Sequence, residues 1–444
     1  METLQRAEDV LDGPRGRLLP TIRVMREPRS YYDALFQQYG DPVLLHAMNG
    51  NIVLTGTPEG AKAVFSHPPD NYLPFGVEAS RALVGPNSLF LLEGDRHKEE
   101  RKLLRPPFHG KRMRGQGETI ARVTREVFGR LKDGEAFVAQ DEFMRVSLEV
   151  ITRVVFGATD QEEVDALVEA IDDLINNLNP LLLFSPKLQV APLGLGPWAK
   201  FQQRIARLDA LLKKRIARHK ESGPGDDILS MLLESTYEDG SPMSTEAMRD
   251  ELMTLLFAGH ETTAIALSWA LYHLHRSPGT LKTLRAEIDA ETSDDPIARS
   301  KLPYLQGVCQ ETLRISPIVT DVLRHLDAPM EFMGMHVEAG WNLAVSIVTI
   351  HFDPDIYEDP EAFQPERFID RKYSPFEYMP FGGGHRRCIG AAFAMFEMAI
   401  VLDTLLGEFD LALQEHGEVK PVRRNITMGP ETGIRMKLVS RREN

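Results

Sequence analysis

One segment of the sequence, from Ser244 to Pro278, predicts a single helix that is long enough to cross a whole domain. Ser244 is a favourable N-cap, Glu246 suits the positive end of the helix dipole, and the pair Ser277-Pro278 ends the helix. About 32 residues, at roughly 1.5 Å each, span about 48 Å. The middle of the segment, LLFAGHETTAIALSWAL, is largely apolar. We therefore expect this helix to lie buried in the fold.

The rest of the chain predicts further helices and a smaller strand component. In DPVLLHAMNGNIVLTGT, Asn49-Gly50 between two apolar runs is typical of a β-hairpin, and Thr57 before Pro58 indicates a helix start. Apolar residues repeat at helical spacing in ETIARVTREVFGRL and in WAKFQQRIARLDALLKKRIARHK. The stretch GWNLAVSIVTIHFDP predicts a strand, and short strands and turns follow until the segment after Cys388. The expected fold class is mainly α with minor β.

Charge and cysteine usage exclude several classes of protein. The chain of 444 residues has a formal net charge of -14, so the molecule as a whole should not favour nucleic acid or an anionic membrane. Cys309 and Cys388 are its only cysteines, too few for a disulfide framework, and this predicts a cytoplasmic protein. No run of about 18 apolar residues occurs, and the start of the chain lacks the apolar core of a signal peptide. We expect no membrane anchor.

The segment FGGGHRRCIG, from Phe381 to Gly390, raises the question of what the Cys388 thiol does. A buried structural cysteine is the usual fate of a free thiol, but glycines and arginines make a poor apolar niche. Zinc is disfavoured because Cys309 is the only other thiol. A nucleophile activated at a helix N-terminus is a further alternative. A phosphate-binding loop fits weakly, since the Walker pattern is absent.

An axial thiolate for heme iron accounts for the most residues at once. The apolar segment after Cys388 predicts a buried helix, ending at Gly407, whose N-terminal N–H groups and positive dipole end stabilise a thiolate. The glycines at 382–384 let the backbone pass close beneath a flat macrocycle. Phe381 can pack on the ring side, and Arg386 can donate charge-assisted hydrogen bonds to a propionate.

At this loop the chain resembles the cytochrome P-450 family of heme-thiolate monooxygenases. The family pattern Phe-Gly-x-Gly-x-Arg-x-Cys-x-Gly is matched by Phe381, Gly382, Gly384, Arg386, Cys388 and Gly390. The resemblance implies heme b as cofactor, with Cys388 as the iron ligand. It spans roughly residue 30 to the C-terminus, and implies one domain over residues 1–444 with residues 1–29 as a lead-in. The implied fold is a triangular helical prism with small β-sheets and heme between the long helix and the Cys-loop helix.

The stretch AGHETT in the middle of the long helix matches the oxygen-activation segment of the family. The resemblance assigns Glu261 and Thr262 as the acid–alcohol pair that delivers protons, and Ala258 to the cofactor site. By itself, a threonine in a buried helix usually bonds the carbonyl four residues earlier. We expect weakened helix hydrogen bonds near Gly259 to make room for dioxygen and water. His260 is predicted to be an outward-facing polar residue.

Charged residues elsewhere complete the resemblance. Glu311 and Arg314 in ETLR, with Arg367 in PERF, match a buried ion network of the family that braces the thiolate loop, although such a helix pair is commonly a surface ion pair. The resemblance assigns four residues to the heme propionates, which need cationic partners when buried. These residues are His97, Arg101, Arg324 and Arg386. Without the resemblance, the first two would be part of a solvated basic helix.

The implied function is that of a monooxygenase. It would insert one oxygen atom from dioxygen by hydroxylation or epoxidation, with two electrons from a separate ferredoxin or flavodoxin and its reductase. A peroxygenase or isomerase on the same fold is one alternative, and a heme-based sensor or carrier is another. The acid–alcohol pair is usually lost in the former and is not needed by the latter, so Glu261 and Thr262 favour the monooxygenase.

The expected substrate is lipophilic, such as a terpenoid, a fatty acid or a steroid-like compound. Stretches that the family topology assigns to the distal cleft, namely YLPFG, NPLLLF, LLFAG and PIV, are mainly apolar. Thr320, Asp321, Asn425 and Glu431 could orient one polar group of a substrate. Equally, they could bond the local backbone or face solvent.

A basic stretch from Arg96 to Arg114, together with His385 and Arg387, predicts a locally positive surface in an otherwise acidic molecule. The family fold places both segments on the same side. Such a surface would steer an acidic ferredoxin toward the heme edge.

Overall fold

Helices make up most of the protein, as the sequence predicts. The computed structural model describes residues 4–48, 50–74, 77–108, 113–177, 182, 188–222, 225, 227–424 and 426–442. The helices of these ranges are α1 (Ala7–Val10), α2 (Leu18–Arg26), α3 (Pro28–Tyr39), α4 (Pro58–Phe65), α5 (Val77–Val84), α6 (Gly94–Leu104), α7 (Met113–Phe128), α8 (Ala139–Val150), α9 (Gln161–Asn176), α10 (Pro197–Ser222), α11 (Ile228–Glu234), α12 (Thr245–Arg276), α13 (Pro278–Ala290), α14 (Pro296–Arg299), α15 (Pro303–Ile315), α16 (Ile347–His351), α17 (Arg367–Asp370) and α18 (Ala391–Glu408).

The strands of the described ranges form small sheets. They are β1 (Gln5–Arg6), β2 (Val43–Ala47), β3 (Gly50–Thr55), β4 (Tyr72–Leu73), β5 (Ala136–Val138), β6 (Asp321–Leu326), β7 (Met330–Phe332), β8 (Met335–Val337), β9 (Asn342–Ser346), β10 (Phe409–Leu413), β11 (Pro421–Arg424), β12 (Thr427–Pro430) and β13 (Arg435–Arg441). The largest sheet has the order β2-β3-β9-β6-β4, in which only the pair β3–β9 is parallel. The others are β1-β8-β7, β10-β13-β5 and the hairpin β11-β12.

The long helix α12 has the bounds that the sequence predicts. The Ser244 hydroxyl accepts a hydrogen bond from the Ala247 N–H at 3.0 Å, and Ser277 ends the helix before Pro278 begins α13. From Asp250 to Tyr272 most side chains are buried, against α8, α15 and α18. The helix is thus part of the main hydrophobic core, to which residues of α7, α8 and α18 also belong.

Local signals elsewhere are also confirmed. Strands β2 and β3 pair in antiparallel register, with Ala47 opposite Gly50, whereas Asn49 of the predicted turn lies outside the described residues. The Thr57 hydroxyl accepts from the Gly60 N–H at 3.2 Å and caps α4, which begins at Pro58. The periodic segments predicted as helices lie in α7 and α10, except that α7 ends at Phe128, three residues before the end of the first segment.

Two predicted boundaries are wrong. The strand predicted for GWNLAVSIVTIHFDP ends at Ser346, because the Ser346 hydroxyl accepts from the Thr349 N–H at 3.2 Å and caps the short helix α16. Gly407 does not end α18, which continues to Glu408. Strand β10 begins directly at Phe409, whose extended backbone pairs with β13.

The predicted ion network is present and joins α15 to α17. Arg314 Nε lies 2.7 Å from Glu311 Oε2, and Arg367 Nε lies 3.1 Å from Glu311 Oε1. Arg314 also donates to the carbonyl of His351 at 2.8 Å. Glu311 and Arg314 are fully buried, so each charge depends on the other for its stabilisation. None of the helices in the described ranges is long and apolar enough to cross a membrane.

Candidate active site

The cysteine loop connects a short 3-10 turn, Gly384–Arg386, to the buried helix α18. The Cys388 N–H donates to the Phe381 carbonyl at 3.0 Å, which closes the loop on itself. Gly390 stands at the N-cap position of α18, and its backbone N–H hydrogen-bonds toward the Cys388 thiol. Sulfur therefore lies at the positive end of a long helix, as the sequence predicts.

Opposing effects act on the Cys388 thiol. Burial raises its pKa, while the Gly390 N–H and the guanidinium groups of Arg387 and Arg101 favour the thiolate. The residue nevertheless keeps an exposed face, whereas Cys309 is buried and burial raises the pKa of its thiol to about 12. Of the two cysteines, only Cys388 can reach a bound group.

The glycines of the loop serve close packing against α4. A Cβ atom on Gly383 would lie 2.5 Å from the ring of Phe65, and one on Gly384 would lie 2.7 Å from the Phe65 carbonyl oxygen. Gly382 and Gly384 also have positive φ angles of 66° and 68°, which favour glycine. The role predicted from the sequence, passage beneath a macrocycle, is therefore incomplete. The close contact with Phe65 already requires glycine at positions 383 and 384, whether or not a macrocycle is bound.

The four residues assigned to the propionates lie together beside this loop. His97 and Arg101 come from α6, Arg324 from β6 and Arg386 from the loop itself. Arg101 Nη2 donates to the Arg387 carbonyl, and Arg324 Nη2 donates to the Gly383 carbonyl at 3.1 Å. Arg386 Nη2 donates to the Leu92 carbonyl at 2.6 Å.

This cluster carries positive charge with no carboxylate in ion-pair contact with its arginines among the described residues, although Glu93 acts on Arg386 from further away. Burial and then Arg386 lower the pKa of Arg324 to about 10, and burial followed by the neighbouring cations lowers the pKa of His97 to about 3. Among the described residues, Arg101, Arg324 and Arg386 form no ion pair, and the buried Nε of Arg386 has no hydrogen-bond partner. Two propionates would supply these missing charges, so the residues fit a heme next to the exposed thiol.

A stripe of accessible residues interrupts the buried surface of α12. Leu255, Ala258, Gly259 and Thr262 are each partly exposed and follow the spacing of one helix face. Phe257 and Glu261 are the other partly exposed residues between 250 and 272. An accessible face at the centre of an otherwise buried helix is what a cofactor or substrate site requires.

The helix itself differs from expectation at Gly259. It runs unbroken from Thr245 to Arg276, so the predicted local weakening does not interrupt it. A Cβ atom on Gly259 would lie 3.4 Å from Ile151, and the Ser147 hydroxyl donates to the Gly259 carbonyl at 3.4 Å. Gly259 thus permits a close approach of the segment after α8. The Thr262 hydroxyl donates to the Ala258 carbonyl at 2.9 Å, as a threonine inside a helix usually does.

Glu261 is positioned by the hairpin β11–β12, which the sequence did not predict. Burial raises the pKa of its carboxyl group, while Arg424 and hydrogen bonding with the Thr427 side chain act in the opposite direction. Its carboxyl group is therefore a weaker acid than that of an exposed glutamate, a property that suits proton exchange.

The prediction for His260 is wrong. Its side chain is buried rather than outward-facing, because this face of α12 packs against α8, the helix with which it shares the most extensive contact. Burial lowers the pKa of His260 to about 4, although a hydrogen bond with the Met144 backbone opposes the shift. The imidazole is therefore neutral at physiological pH.

Two residues that the sequence analysis did not assign to the heme site also lie there. His385 stacks on Tyr72 with ring centroids 6.2 Å apart, and it meets His97 edge-on at 5.8 Å. Ser147 contacts both Gly259 and the buried Glu397 of α18. The position of His385 inside the loop pattern was a usable signal, whereas nothing in the sequence around Ser147 indicates its long-range contacts.

The polar residues considered for the substrate cleft are mostly engaged elsewhere. The Thr320 hydroxyl donates to Asp321 at 2.8 Å and accepts from Arg423 at 3.3 Å, and Asp321 also hydrogen-bonds Tyr32. Asn425 lies outside the described residues, as do the end of YLPFG and all of NPLLLF except Leu182. Val322 and Ile318 remain as apolar candidates, and Val322 borders the loop near Gly382.

A heme accounts for both features of the site. Its iron would take the exposed Cys388 thiol, and its propionates would pair with the guanidinium groups of Arg101, Arg324 and Arg386. Fold and site thus define the class, a heme-thiolate protein. A family model described as "Cytochrome P450" matches residues 16–437, and the chain belongs to the cytochrome P-450 family. It is accordingly an oxidoreductase of the monooxygenase type that uses heme, dioxygen and a redox partner.

Relatives and a solved structure agree with this membership. Cytochrome P-450 135B1 of Mycobacterium bovis is 34% identical over 440 residues, which cover 97% of this chain and 92% of the relative. Cytochrome P-450 138 of the same organism is 34% identical over 88% of this chain and 86% of its own length. The structure of a cyanobacterial CYP120A1 with bound retinoic acid superposes with a TM-score of 0.83 at 26% identity, covering 98% of this chain and 99% of the other.

Proposed function

We propose that the protein hydroxylates or epoxidises a lipophilic small molecule, with electrons from a ferredoxin or flavodoxin and its reductase. The observation that carries the proposal is the accessible stripe on α12, which is apolar at Leu255 and Ala258 and ends at Thr262 beside Glu261. The apolar side chains and the two groups proposed to deliver protons thus lie on neighbouring turns of the same helix.

Heme, when bound, supplies dioxygen activation and transfer of one oxygen atom. In the proposal Cys388 holds the iron, and His97, Arg101, Arg324 and Arg386 hold the propionates. The four side chains come from three separate parts of the chain, so cofactor binding also fixes α6, β6 and the loop relative to one another. Phe381, Gly382, Gly390 and Ala258 complete the surroundings of the ring.

Proton delivery is assigned to Glu261 and Thr262. The Thr262 hydroxyl is held by its bond to the Ala258 carbonyl, which leaves its oxygen lone pairs free to accept a proton donor such as water. Glu261 lies at the neighbouring position, and burial raises the pKa of its carboxyl group. In the proposal the carboxyl group gives up and recovers the proton, and a water held by the hydroxyl carries it to dioxygen.

A lipophilic substrate is supported by the residues that the family topology assigns to the distal cleft. Val322 and Ile318 are apolar, and Thr320 and Asp321 are engaged with Tyr32 and Arg423 rather than free to bind a polar ligand. The cyanobacterial structural neighbour binds retinoic acid, a lipophilic acid. Terpenoids, fatty acids and steroid-like compounds fit this description.

The alternatives make different use of the same heme. A peroxygenase would turn over with hydrogen peroxide and no electron donor, and a sensor or carrier would show no turnover with a surrogate ferredoxin system. The presence of both Glu261 and Thr262 on α12 favours the monooxygenase, since neither alternative needs the pair.

The test begins with the iron ligand. The reduced protein should give the red-shifted Soret band of thiolate ligation with carbon monoxide, and Cys388→Ala should abolish it. Cys309→Ala is the matched control and should retain the band, because Cys309 is buried within α15. Apolar ligands should then shift the heme spectrum, and turnover with a surrogate ferredoxin should consume dioxygen. If the band survives in Cys388→Ala, the assignment of the iron ligand is wrong. If only polar ligands shift the heme spectrum, the proposal of a lipophilic substrate is wrong.

A further inference from the structure

The hydroxyl group of Ser147, on α8, lies between two hydrogen-bond acceptors that belong to different helices. It donates to the Gly259 carbonyl of α12 at 3.4 Å, and it also hydrogen-bonds with the carboxyl group of Glu397 on α18. Ser147 is completely buried and Glu397 almost completely. This hydroxyl therefore connects the helix that follows the cysteine loop with the helix that carries the pair proposed to deliver protons.

The first acceptor lies in the part of α12 from Ala258 to Thr262, which we call the proton-delivery segment. The Ala258 carbonyl, next to Gly259, accepts from the Thr262 hydroxyl at 2.9 Å. Inside a continuous helix the Gly259 carbonyl also accepts from the N–H group four residues later, and its oxygen has lone pairs for both donors. Ser147 thus holds, from the side of α8, the peptide group that adjoins the acceptor of Thr262.

The second acceptor is a carboxyl group within the core. Glu397 Oε1 has no hydrogen-bond partner among the described residues. Burial raises the pKa of this carboxyl group to about 8, and the Ser147 side chain opposes the shift. The folded protein therefore keeps the carboxyl group protonated below about pH 8 and ionises it above.

Burial and Ser147, rather than a neighbouring charge, control the ionisation of Glu397. The elements packed against α18 include α7, α12, α13, α14, α15 and β10. On α12, burial lowers the pKa of His260 to about 4, so this imidazole stays neutral while Glu397 titrates. Ion pairs hold further charged side chains of these elements, of α18 and of α8, namely Arg125–Glu408, Arg285–Asp410, Arg299–Asp403, Glu311–Arg314, Glu142–Arg145 and Glu149–Arg153.

We propose that Glu397 determines which acceptor the Ser147 hydroxyl faces, and that Ser147 thereby positions the proton-delivery segment. While the carboxyl group holds its proton, its O–H donates to the Ser147 oxygen, and the Ser147 proton stays directed at the Gly259 carbonyl. After the proton is lost, the carboxylate can only accept hydrogen bonds. A bond to a charged oxygen is stronger than one to a carbonyl, so Ser147 turns to Glu397 and the Gly259 carbonyl loses a donor.

The effect on the reaction rests on the proposed function, in which Glu261 and Thr262 deliver protons. The bond from Ser147 to Gly259 is long, so a charge-assisted competitor displaces it at small cost. Without this bond the peptide group beside Ala258 is held by α12 alone, and the acceptor of Thr262 is fixed less firmly. Ser147 and Glu397 are therefore positioning residues, because both are buried and act through the backbone of α12.

Infrared difference spectra of the heme-loaded protein between about pH 6 and about pH 9 test the change of acceptor without turnover. The C=O stretching band of a protonated carboxylic acid should disappear with a midpoint of about 8, and Glu397→Gln should lack this band. In Ser147→Ala the band should shift in frequency and its midpoint should rise, because Ser147 favours the charged form. Glu118→Gln, at an exposed position on α7, is the matched control and should resemble the wild type.

The ratio of product formed to reductant consumed tests the consequence for the reaction. In the wild type it should fall severalfold as the pH rises through about 8. Glu397→Gln should keep the higher ratio throughout, because its amide donates to Ser147 at every pH. Ser147→Ala should show the lower ratio at every pH, and Ser147→Thr, which retains a hydroxyl group, should recover the dependence on pH. This ratio does not depend on the amount of folded enzyme, so a loss of stability alone leaves it unchanged.

Two results would overturn the proposal. One is an infrared band that does not titrate in this range or does not respond to Ser147→Ala. The other is equal coupling of wild type and Glu397→Gln at every pH although the band titrates. A complete lack of turnover with a surrogate ferredoxin would instead contradict the proposed function, and the infrared spectra would still decide whether the Ser147 hydroxyl responds to Glu397.

Discussion

At the scale of single residues, we expect the Thr262 hydroxyl, which donates to the Ala258 carbonyl, to organise proton delivery in the proposed mechanism. We expect Thr262→Ala to bind heme and substrate normally, because the side chain is small and only partly buried. The ratio of product formed to reductant consumed should fall severalfold, with hydrogen peroxide as the product of the diverted electrons, since the proton donor is no longer organised. Thr262→Ser retains the hydroxyl and should recover most of the ratio.

Glu261→Gln completes this test, because an alternative water network could deliver protons in Thr262→Ala alone. The amide keeps the size of the carboxyl group but exchanges no proton. Unchanged coupling in both variants would remove the acid–alcohol pair from the mechanism.

Glu397 gives a dependence of stability on pH that can be tested. It is buried in α18, and burial raises the pKa of its carboxyl group to about 8 in spite of the Ser147 side chain. In the unfolded chain the same carboxyl group has a pKa of about 4.3. Between these two pKa values the folded protein therefore holds a proton that the unfolded chain has lost. The contribution of Glu397 to stability is therefore complete below the unfolded pKa and is lost as the pH rises through about 8.

We expect Glu397→Gln to remove this alkaline loss. In denaturant unfolding from about pH 6 to about pH 9, the free energy of unfolding of the wild type should fall relative to the variant by at most about 1.4 kcal/mol per pH unit. Glu118→Gln, at an exposed position on α7, should follow the wild type. Parallel pH profiles for wild type and Glu397→Gln would show that the carboxyl group does not titrate in this range.

At the scale of elements, the contact between the cysteine loop and α4 has no spare volume. Gly383→Ala would place its Cβ atom 2.5 Å from the Phe65 ring, so either the loop or the helix must move. We expect a loss of stability of about 1–3 kcal/mol and a lower heme content per protein. Gly417→Ala is the control, because nothing lies within 4 Å of its Cβ position. Phe65→Leu should partly restore heme binding, and a normal heme content in Gly383→Ala would refute this account of the loop.

The elements also explain which features could be predicted from the sequence. The bounds of α12 follow from Ser244 and Pro278, residues that act within their own turn. The ligand loop was found because its pattern is contiguous. By contrast, Glu261 meets Thr427 and His260 packs toward α8, contacts between segments far apart in the chain that no local pattern encodes.

At the scale of the whole molecule, the positive surface expected around α6 is partly neutralised. Lys98 pairs with Asp95 at 2.9 Å, Lys102 with Glu238 at 2.8 Å and Arg114 with Asp295 at 2.9 Å. Lys111 and Arg112 lie outside the described residues. An open cavity of about 530 Å³ remains, and it is lined by Lys98, Arg101, Lys102, Arg105, His97 and His385. The exposed Arg105 forms no described ion pair and is the residue on which to test partner docking.

Reduction of the holoprotein by an acidic ferredoxin should slow as ionic strength rises, because steering acts through screened charges. Arg105→Glu should reduce the rate severalfold at low salt and converge on the wild type at high salt. Lys282→Glu changes the net charge equally at a position on α13 and should have little effect. Reduction that is independent of salt in all three proteins would exclude electrostatic steering at this surface.

Because the two thiols lie in different environments, alkylation of cysteine can report the fraction of the protein that has heme bound. Cys309 is buried, and burial raises the pKa of its thiol to about 12, so we expect it not to react with an alkylating reagent in the folded protein. Cys388 is exposed. Protein stripped of heme should take up one label per chain, faster as the pH rises, and loaded protein should take up none. Mass spectrometry of the labelled chain would then report fractional occupancy directly, with no absorbance measurement, and Cys388→Ala should remain unlabelled throughout.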